Sequence, residues 1–174
     1  MAKMSIRRKL AIASWGEPSE GNIYGKLTVD MTRAQRYLDE LRGRSGEKVT
    51  VTHLVGKAIA EALRRAPTLH GRIMLGHYVP FDTVDIAFLV ALEGGNDLAK
   101  AKICDVDKKS IVELAHELAE RTSRLRGGGD NDFEKSKGAI KALPTWMLRP
   151  VVALTGFLAS SIGVTMKPLG IQPF

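Results

Sequence analysis

The least common side chains of this sequence that could carry out catalysis or hold a metal are four histidines and one cysteine: His53, His70, His77, His116 and Cys104. The histidines lie far apart, and none has the His-Glu-x-x-His spacing that places two ligands on one face of a helix. A single cysteine excludes an internal disulfide and a zinc site built from cysteines. We therefore expect no metal site. We expect Cys104 to be an ordinary buried thiol, because no cation-rich helix start surrounds it.

Segment 127–136 shares some features with two known binding loops, but each match fails at a required position. A phosphate-binding loop needs glycine where this sequence has Glu134. The acidic residues of the segment have calcium-loop spacing, yet Lys135 replaces the required glycine and Lys141 replaces the bidentate glutamate. No serine lies in a Gly-x-Ser-x-Gly sequence, which excludes that kind of nucleophile turn. Local motifs therefore assign no reaction.

Length, composition and charge exclude several classes of protein. The chain has 174 residues, of which 44% are hydrophobic, and a net charge of +7, which is typical of one globular domain. No aromatic residues alternate with the basic clusters, so we expect no nucleic-acid partner. The apolar stretch after basic residues 7–9 is interrupted at Trp15, which argues against a secretory signal. We therefore expect a cytoplasmic protein.

Hydrophobic periodicity predicts an α+β or mixed α/β chain whose strands form one sheet. Strands are predicted at 9–15, 24–31, 72–75, 77–81 and 84–92. The last of these is nearly all apolar, as expected of a central strand that is buried on both faces.

Helices are predicted at 32–44, from Thr50 or Thr52 to Pro67, from Ser110 to about 125, and at 133–143 and 146–159. Glu113 follows Ser110 by three residues, which is the spacing of a capping box. We expect His53, near a helix start, to be a surface or boundary residue, and His116 to lie on the polar side of its helix.

Six strings in this order resemble the catalytic domain of the dihydrolipoyl acyltransferases, the core component of 2-oxo acid dehydrogenase complexes. They lie at 7–13, 27–32, 49–58, 66–73, 85–92 and 105–111. The resemblance implies an α+β fold like that of chloramphenicol acetyltransferase, a mixed sheet with helices packed on it, here without its C-terminal strands. Residues 1–132 would be the N-terminal part of the domain, and 133–174 an apolar helical insertion in it.

The resemblance also implies an activity and partners. The family moves an acyl group between a lipoyl carrier, or another thioester carrier, and coenzyme A, both of which are substrates and not bound cofactors. Its members form trimers or larger assemblies and work with lipoyl carrier domains and other subunits of the complex. A histidine in a His-x-x-x-Asp-Gly motif acts as general base, and a serine or threonine stabilises the oxyanion.

This sequence departs from the family pattern at the catalytic residues. Four positions after the histidines stand Lys57, Met74, Phe81 and Glu120, so no His-x-x-x-Asp-Gly motif occurs. Segment 95–101 replaces the usual Gly-Leu-x-x-Pro-Val stretch. We therefore assign no catalytic residue and expect the chain to be inactive by itself.

Four residues are associated with the site by position in the family pattern: Arg8, Gly94, Gly95 and Asn96. Arg8 matches the region of a structural arginine near the active site. The other three would lie along the substrate channel.

Two explanations account for the missing motif. We favour an incomplete chain, because the apolar ending at 171–174 resembles an interruption and the absent strands would leave apolar sheet edges exposed. The alternative is a non-catalytic oligomeric scaffold, or a protein that docks on a membrane surface or a partner through 133–159. That segment combines lysines and arginine with apolar residues, as basic amphipathic elements do. It could equally pack on its own domain or across an oligomer.

Overall fold

The computed structural model describes residues 6–16, 21, 23–92, 95, 97–127 and 143–158. Within them the helices are α1 (Ile6–Ser14), α2 (Thr32–Ser45), α3 (Val51–Arg65), α4 (Ile111–Arg126) and α5 (Thr145–Phe157). The strands are β1 (Gly71–Met74), β2 (His77–Pro80), β3 (Ile86–Leu92) and β4 (Asp97–Ile103). Short 3₁₀ turns occupy Pro67–Leu69 and Val106–Lys108. Both strand pairs, β1–β2 and β3–β4, are antiparallel.

The main core lies between the β3–β4 hairpin and the two helices α3 and α4. Side chains of β3 and β4 alternate between buried and exposed, as the two-residue period of a strand requires. On the buried face Phe88 lies opposite Ala101, and Val90 lies opposite Ala99. A large residue on one strand therefore meets a small one on the other, which leaves room for Leu114 of α4 to join the same cluster.

Two smaller clusters attach the remaining helices. Leu38 of α2 is fully buried and packs in one cluster with Val49 and with Ala115 of α4. Ala13 of α1 and Leu148 of α5 form the centre of the other cluster. None of the helices in the described part of the chain combines the length and the apolar character needed to cross a bilayer.

The two N-terminal strand predictions were wrong. Residues predicted as a strand at 9–15 lie mostly in α1, because Ile6, Leu10 and Ala13 recur at helical spacing and pack against α5. Segment 24–31 has no regular secondary structure, and the side chain of Tyr24 is 92% exposed. It pairs with no strand in the described residues, and an alternating pattern needs such a neighbour for its backbone hydrogen bonds.

The prediction of one sheet was also wrong for the described residues, since β1–β2 and β3–β4 form two separate two-stranded sheets. The apolar segment 84–92, predicted as a strand buried on both faces, contains β3. Only one face of this strand is buried, and Leu89 on the other face is 72% exposed. Strand β4 is not among the predicted strands, because its lysines and alanines weaken the alternation of apolar and polar residues.

The remaining helix and strand predictions that fall on described residues were confirmed. Helix α3 begins after Thr50, and α4 begins with the expected capping box. There the Ser110 N–H donates to the Glu113 carboxylate at 2.7 Å, and the Glu113 N–H donates to the Ser110 hydroxyl at 3.2 Å. The helix predicted at 146–159 is observed over Thr145–Phe157. The predicted helix at 133–143 lies outside the described residues except for its last position, and the division at residue 132 stays a prediction.

Candidate functional site

The four residues associated with the site by sequence are only partly covered by the described structure. Arg8 is exposed on α1, and Gly95 lies in the turn between β3 and β4. Gly94 and Asn96 lie outside the described residues. Helix α1 contacts β4, the strand that follows Gly95. Their roles along a substrate channel remain predictions.

Gly95 has a backbone conformation that favours glycine. Its φ is +96°, in the left-handed half of the Ramachandran map. An added Cβ would meet no atom within 4 Å in the described structure. Glycine is therefore favoured in this turn because of its backbone conformation, and not because a larger side chain would clash with a described atom.

Lys57 of α3 fixes the loop that leads into α4. Its Nζ donates to the backbone oxygen of Asp107 at 2.6 Å and to that of Val106 at 3.2 Å. The N–H of Val106 in turn donates to the Val84 oxygen at 2.8 Å. The half-buried side chain of Lys57 therefore connects α3 to a loop that also hydrogen-bonds Val84, two residues before β3. Sequence reasoning did not assign a role to Lys57, although it lies within one of the six matching strings.

An ion pair next to this loop sets the environment of the single cysteine. Asp85 pairs with Lys102 at 2.9 Å and accepts the N–H of Asp105 at 3.1 Å. Burial raises the pKa of Asp85, but these two partners outweigh it and hold the pKa below its usual value. Cys104 is exposed, which corrects the expectation of a buried thiol. Partial desolvation, and then the Asp85 charge, raise the pKa of Cys104, which makes it a weak nucleophile at neutral pH.

His53 is buried, with 8% of its surface exposed, and the expectation of a surface or boundary residue was wrong. It stands at the third position of α3, where its Nδ1 accepts the N–H of Thr50 at 3.0 Å. The Thr50 hydroxyl also lies 3.1 Å from this nitrogen. Because Nδ1 accepts the backbone N–H, the neutral ring carries its hydrogen on Nε2. A glutamate or glutamine at this position would be the familiar signal of such a cap.

The other histidines contact different partners. His116 is exposed on α4, as expected, and its Nδ1 pairs with Glu47 at 2.9 Å. His70 places Nε2 2.9 Å from the Thr83 backbone oxygen. His77 is exposed in β2. In the described part of the chain, no group of three or more histidine, cysteine, aspartate or glutamate side chains converges on a point where a metal could bind.

His53 lies in a cleft of about 380 Å³ between the segment before α3 and one face of α4. It is lined by Glu47, Lys48, Thr50, His53, Ala115, Leu118, Ala119, Thr122, Ser123 and Arg126. Basic and hydroxyl side chains surround an apolar floor, which is the kind of environment that recognises a small polar ligand.

We expect the stability of the protein to fall as the pH falls from about 7 to about 5, because of His53. Burial lowers the pKa of His53, so its contribution is present above the usual histidine pKa and is lost as the ring becomes charged at lower pH. Protonation removes the Nδ1 acceptor, which costs about 1 kcal/mol. His116 acts in the opposite direction, since its hydrogen bond to Glu47 raises its pKa and this contribution is lost at higher pH.

Urea denaturation at a series of pH values tests this expectation. His53→Gln keeps a neutral acceptor at the third helix position and should remove the acid-induced loss, leaving the opposite contribution of His116 over that range. His116→Gln, a matched change on the exposed histidine, should leave the acid-induced loss in place. An unchanged pH dependence in the His53 variant would contradict the assignment.

Comparison with known proteins shows the family. The family model of the 2-oxoacid dehydrogenases acyltransferase (catalytic domain) matches residues 20–140. The dihydrolipoyllysine-residue acetyltransferase component of the acetoin cleaving system of Bacillus subtilis is 31% identical over 102 residues. That match covers 58% of this chain and 25% of the relative, so the chain spans about a quarter of that protein.

Solved structures agree in fold. The dihydrolipoamide acetyltransferase of Azotobacter vinelandii matches with a TM-score of 0.52 and 28% identity, over 57% of this chain and 42% of that one. The cubic core of the pyruvate dehydrogenase multienzyme complex matches with a TM-score of 0.51 and 29% identity, over the same shares. The predicted α+β fold of the chloramphenicol acetyltransferase kind is confirmed. The chain therefore belongs to the family of 2-oxoacid dehydrogenase acyltransferase catalytic domains.

Proposed function

We propose that this chain is part of a catalytic domain that moves an acyl group between a dihydrolipoyl group on a carrier domain and coenzyme A. The observation that carries the proposal is the match of the catalytic-domain family model over residues 20–140. It favours the acyltransferase interpretation over the scaffold and membrane-docking alternatives. The lipoyl group and coenzyme A are substrates in this proposal, and no bound cofactor is required.

In this proposal the described residues supply part of the fold of the catalytic domain but not the general base of the reaction. A general base needs an available nitrogen that a neighbouring group orients toward the substrate thiol. His53 uses Nδ1 for the N–H of Thr50 and is buried, while His116 is paired with Glu47. The sequence contains no His-x-x-x-Asp-Gly motif. We therefore propose that the base and the oxyanion donor come from outside residues 1–174.

We further propose that the protein assembles with copies of itself as a trimer, in the cytoplasm, and works with a lipoyl carrier domain and other subunits of the complex. The outer face of the β3–β4 hairpin supports self-association, because it exposes Leu89 by 72% and Leu98 by 54%. Large apolar side chains exposed on one face of a strand pair favour an interaction site there. Sedimentation of the full-length protein at micromolar concentration tests the proposal, which predicts a trimer or larger assembly and not a monomer.

An acyl-transfer assay tests the proposed activity. Full-length protein should transfer an acyl group from acyl-coenzyme A to dihydrolipoamide, detected by the appearance of free coenzyme A. Residues 1–174 alone should be slower by about 10²–10⁴, the usual contribution of a positioned general base. The intact mass of the native protein should exceed 19.0 kDa. Absence of transfer by the full-length protein with several acyl groups and with both free and carrier-bound dihydrolipoamide would refute the proposal.

A further inference from the structure

We propose that the cleft between residues 47–53 and α4 binds a small organic anion, a carboxylate or phosphate group carried on a short apolar stem. This site is separate from the proposed acyl-transfer reaction. The residues that line the cleft, and the polar groups among them that lack partners, indicate this class of ligand.

Two cations of the cleft have no partner of opposite charge in the described structure. Lys48 and Arg126 are exposed side chains that enter the cleft from its two walls, and neither makes an ion pair with a described residue. The carboxylate that lines the cleft, Glu47, is already paired with His116. With two cations and one carboxylate, the net charge of the residues lining the cleft is positive, and it complements an anion.

The ring of His53 contributes a hydrogen-bond donor to the same cleft. His53 is 92% buried, and its Nδ1 accepts the N–H of Thr50, which leaves the hydrogen on Nε2. Nε2 has no hydrogen-bond partner among the described residues, although the ring lines the cleft. The Nε2 hydrogen is accessible from the cleft, so it can donate to the oxygen of an anion that binds there. Burial lowers the pKa of His53, so this donor is a neutral N–H near pH 7.

The apolar floor of the cleft indicates that the ligand also has an apolar part. Ala115 and Leu118, both buried, and Ala119 form an apolar surface beneath the polar groups. The N-terminal end of α3 opens on the same cleft, and its dipole also favours negative charge. A volume of about 380 Å³ is at the lower end of the range for small-molecule sites. An anion with a few carbon atoms fits this combination better than an inorganic ion.

Ligand-observed NMR on the full-length protein tests the proposal with three probes: sodium acetate, sodium butyrate and inorganic phosphate. Butyrate should show saturation transfer and bind more tightly than acetate, by about fourfold for each methylene group that is buried. Phosphate should compete with butyrate. If phosphate binds and butyrate is no tighter than acetate, the cleft is an inorganic-anion site and the proposal of an organic ligand is wrong.

Matched variants locate the binding and exclude general charge effects. Arg126→Met should weaken butyrate binding by about tenfold, as expected when a charged hydrogen bond is lost. Arg124→Met is the control, because Arg124 is on the same helix but pairs with Glu120 and does not line the cleft. Equal weakening by both variants, or no binding by the wild-type protein at millimolar concentration, would overturn the proposal.

The role of His53 needs variants that keep the helix cap. Glutamate and glutamine both serve at this position of a capping box. His53→Glu removes the donor and adds a negative charge, so it should abolish butyrate binding. His53→Gln supplies amide N–H donors and should retain part of it. If His53→Glu binds butyrate as well as the wild-type protein does, the cleft is not the site.

Discussion

Replacing Gly56 by alanine should destabilise the protein by about 1–3 kcal/mol, even though alanine is the better helix former. Gly56 is buried in α3, and a Cβ at this position would lie 2.6 Å from Cζ and 3.0 Å from Cε1 of Phe88. These ring atoms cannot move away easily, because Phe88 is buried in the main core with Leu114. Urea denaturation of wild-type and Gly56→Ala protein measures the difference.

Gly43 of α2 provides the matched control. It is also inside a helix, but an added Cβ would meet no described atom within 4 Å. Gly43→Ala should therefore stabilise the protein by about 0.5–1 kcal/mol, the usual preference of a helix for alanine. A second test is the Gly56→Ala, Phe88→Leu double variant, whose loss should be smaller than the sum of the two single losses. Strictly additive losses would show that the two side chains do not clash.

Replacing Lys57 by methionine should cost about 2–4 kcal/mol, because it removes two charge-assisted hydrogen bonds. The Asp107 oxygen loses this donor, whereas the Val106 oxygen keeps the N–H of Lys109. The acceptors are the backbone oxygens of Val106 and Asp107, in the loop between β4 and α4. Methionine has nearly the same length and is apolar, so the packing of the stem is largely kept. Amide hydrogen exchange in the loop should increase most, which denaturation alone would not reveal.

Lys48→Met is the control for this prediction. The substitution is chemically the same, but Lys48 is exposed and makes no ion pair with a described residue. Its effect on stability should be within about 0.5 kcal/mol, as for most surface changes. If the two variants are equally stable, Lys57 does not hold the loop.

Local signals in the sequence were sufficient to predict the ends of a helix where residues next to the helix cap it. Ser110 and Glu113 predict the start of α4, and Thr50 and Pro67 bracket α3. These signals depend on contacts within four residues, so they act before any tertiary structure exists. The turn at Gly76 between β1 and β2 is a signal of the same kind.

Contacts between distant segments decided the secondary structure that local signals could not predict. Residues 9–15 fit a strand by alternation and a helix by the spacing of Leu10 and Ala13, and packing against Leu148 of α5 selects the helix. Segment 24–31 alternates just as well, yet it has no partner strand in the described residues and lacks regular structure. A helix satisfies its backbone internally, whereas a strand depends on a neighbour that its own residues do not specify.

The chemical properties of the chain also divide into those that the sequence determined and those that the tertiary structure decided. The sequence alone determined that it lacks the His-x-x-x-Asp-Gly motif, that it has a single cysteine, and that its strings match an acyltransferase catalytic domain. The tertiary structure decided that His53 is buried and Cys104 exposed, and that Lys57 reaches a loop about fifty positions away. Motifs are local strings that can be read directly. Burial and hydrogen bonding depend on which distant segments pack together, because they are set by the surfaces that folding removes from water.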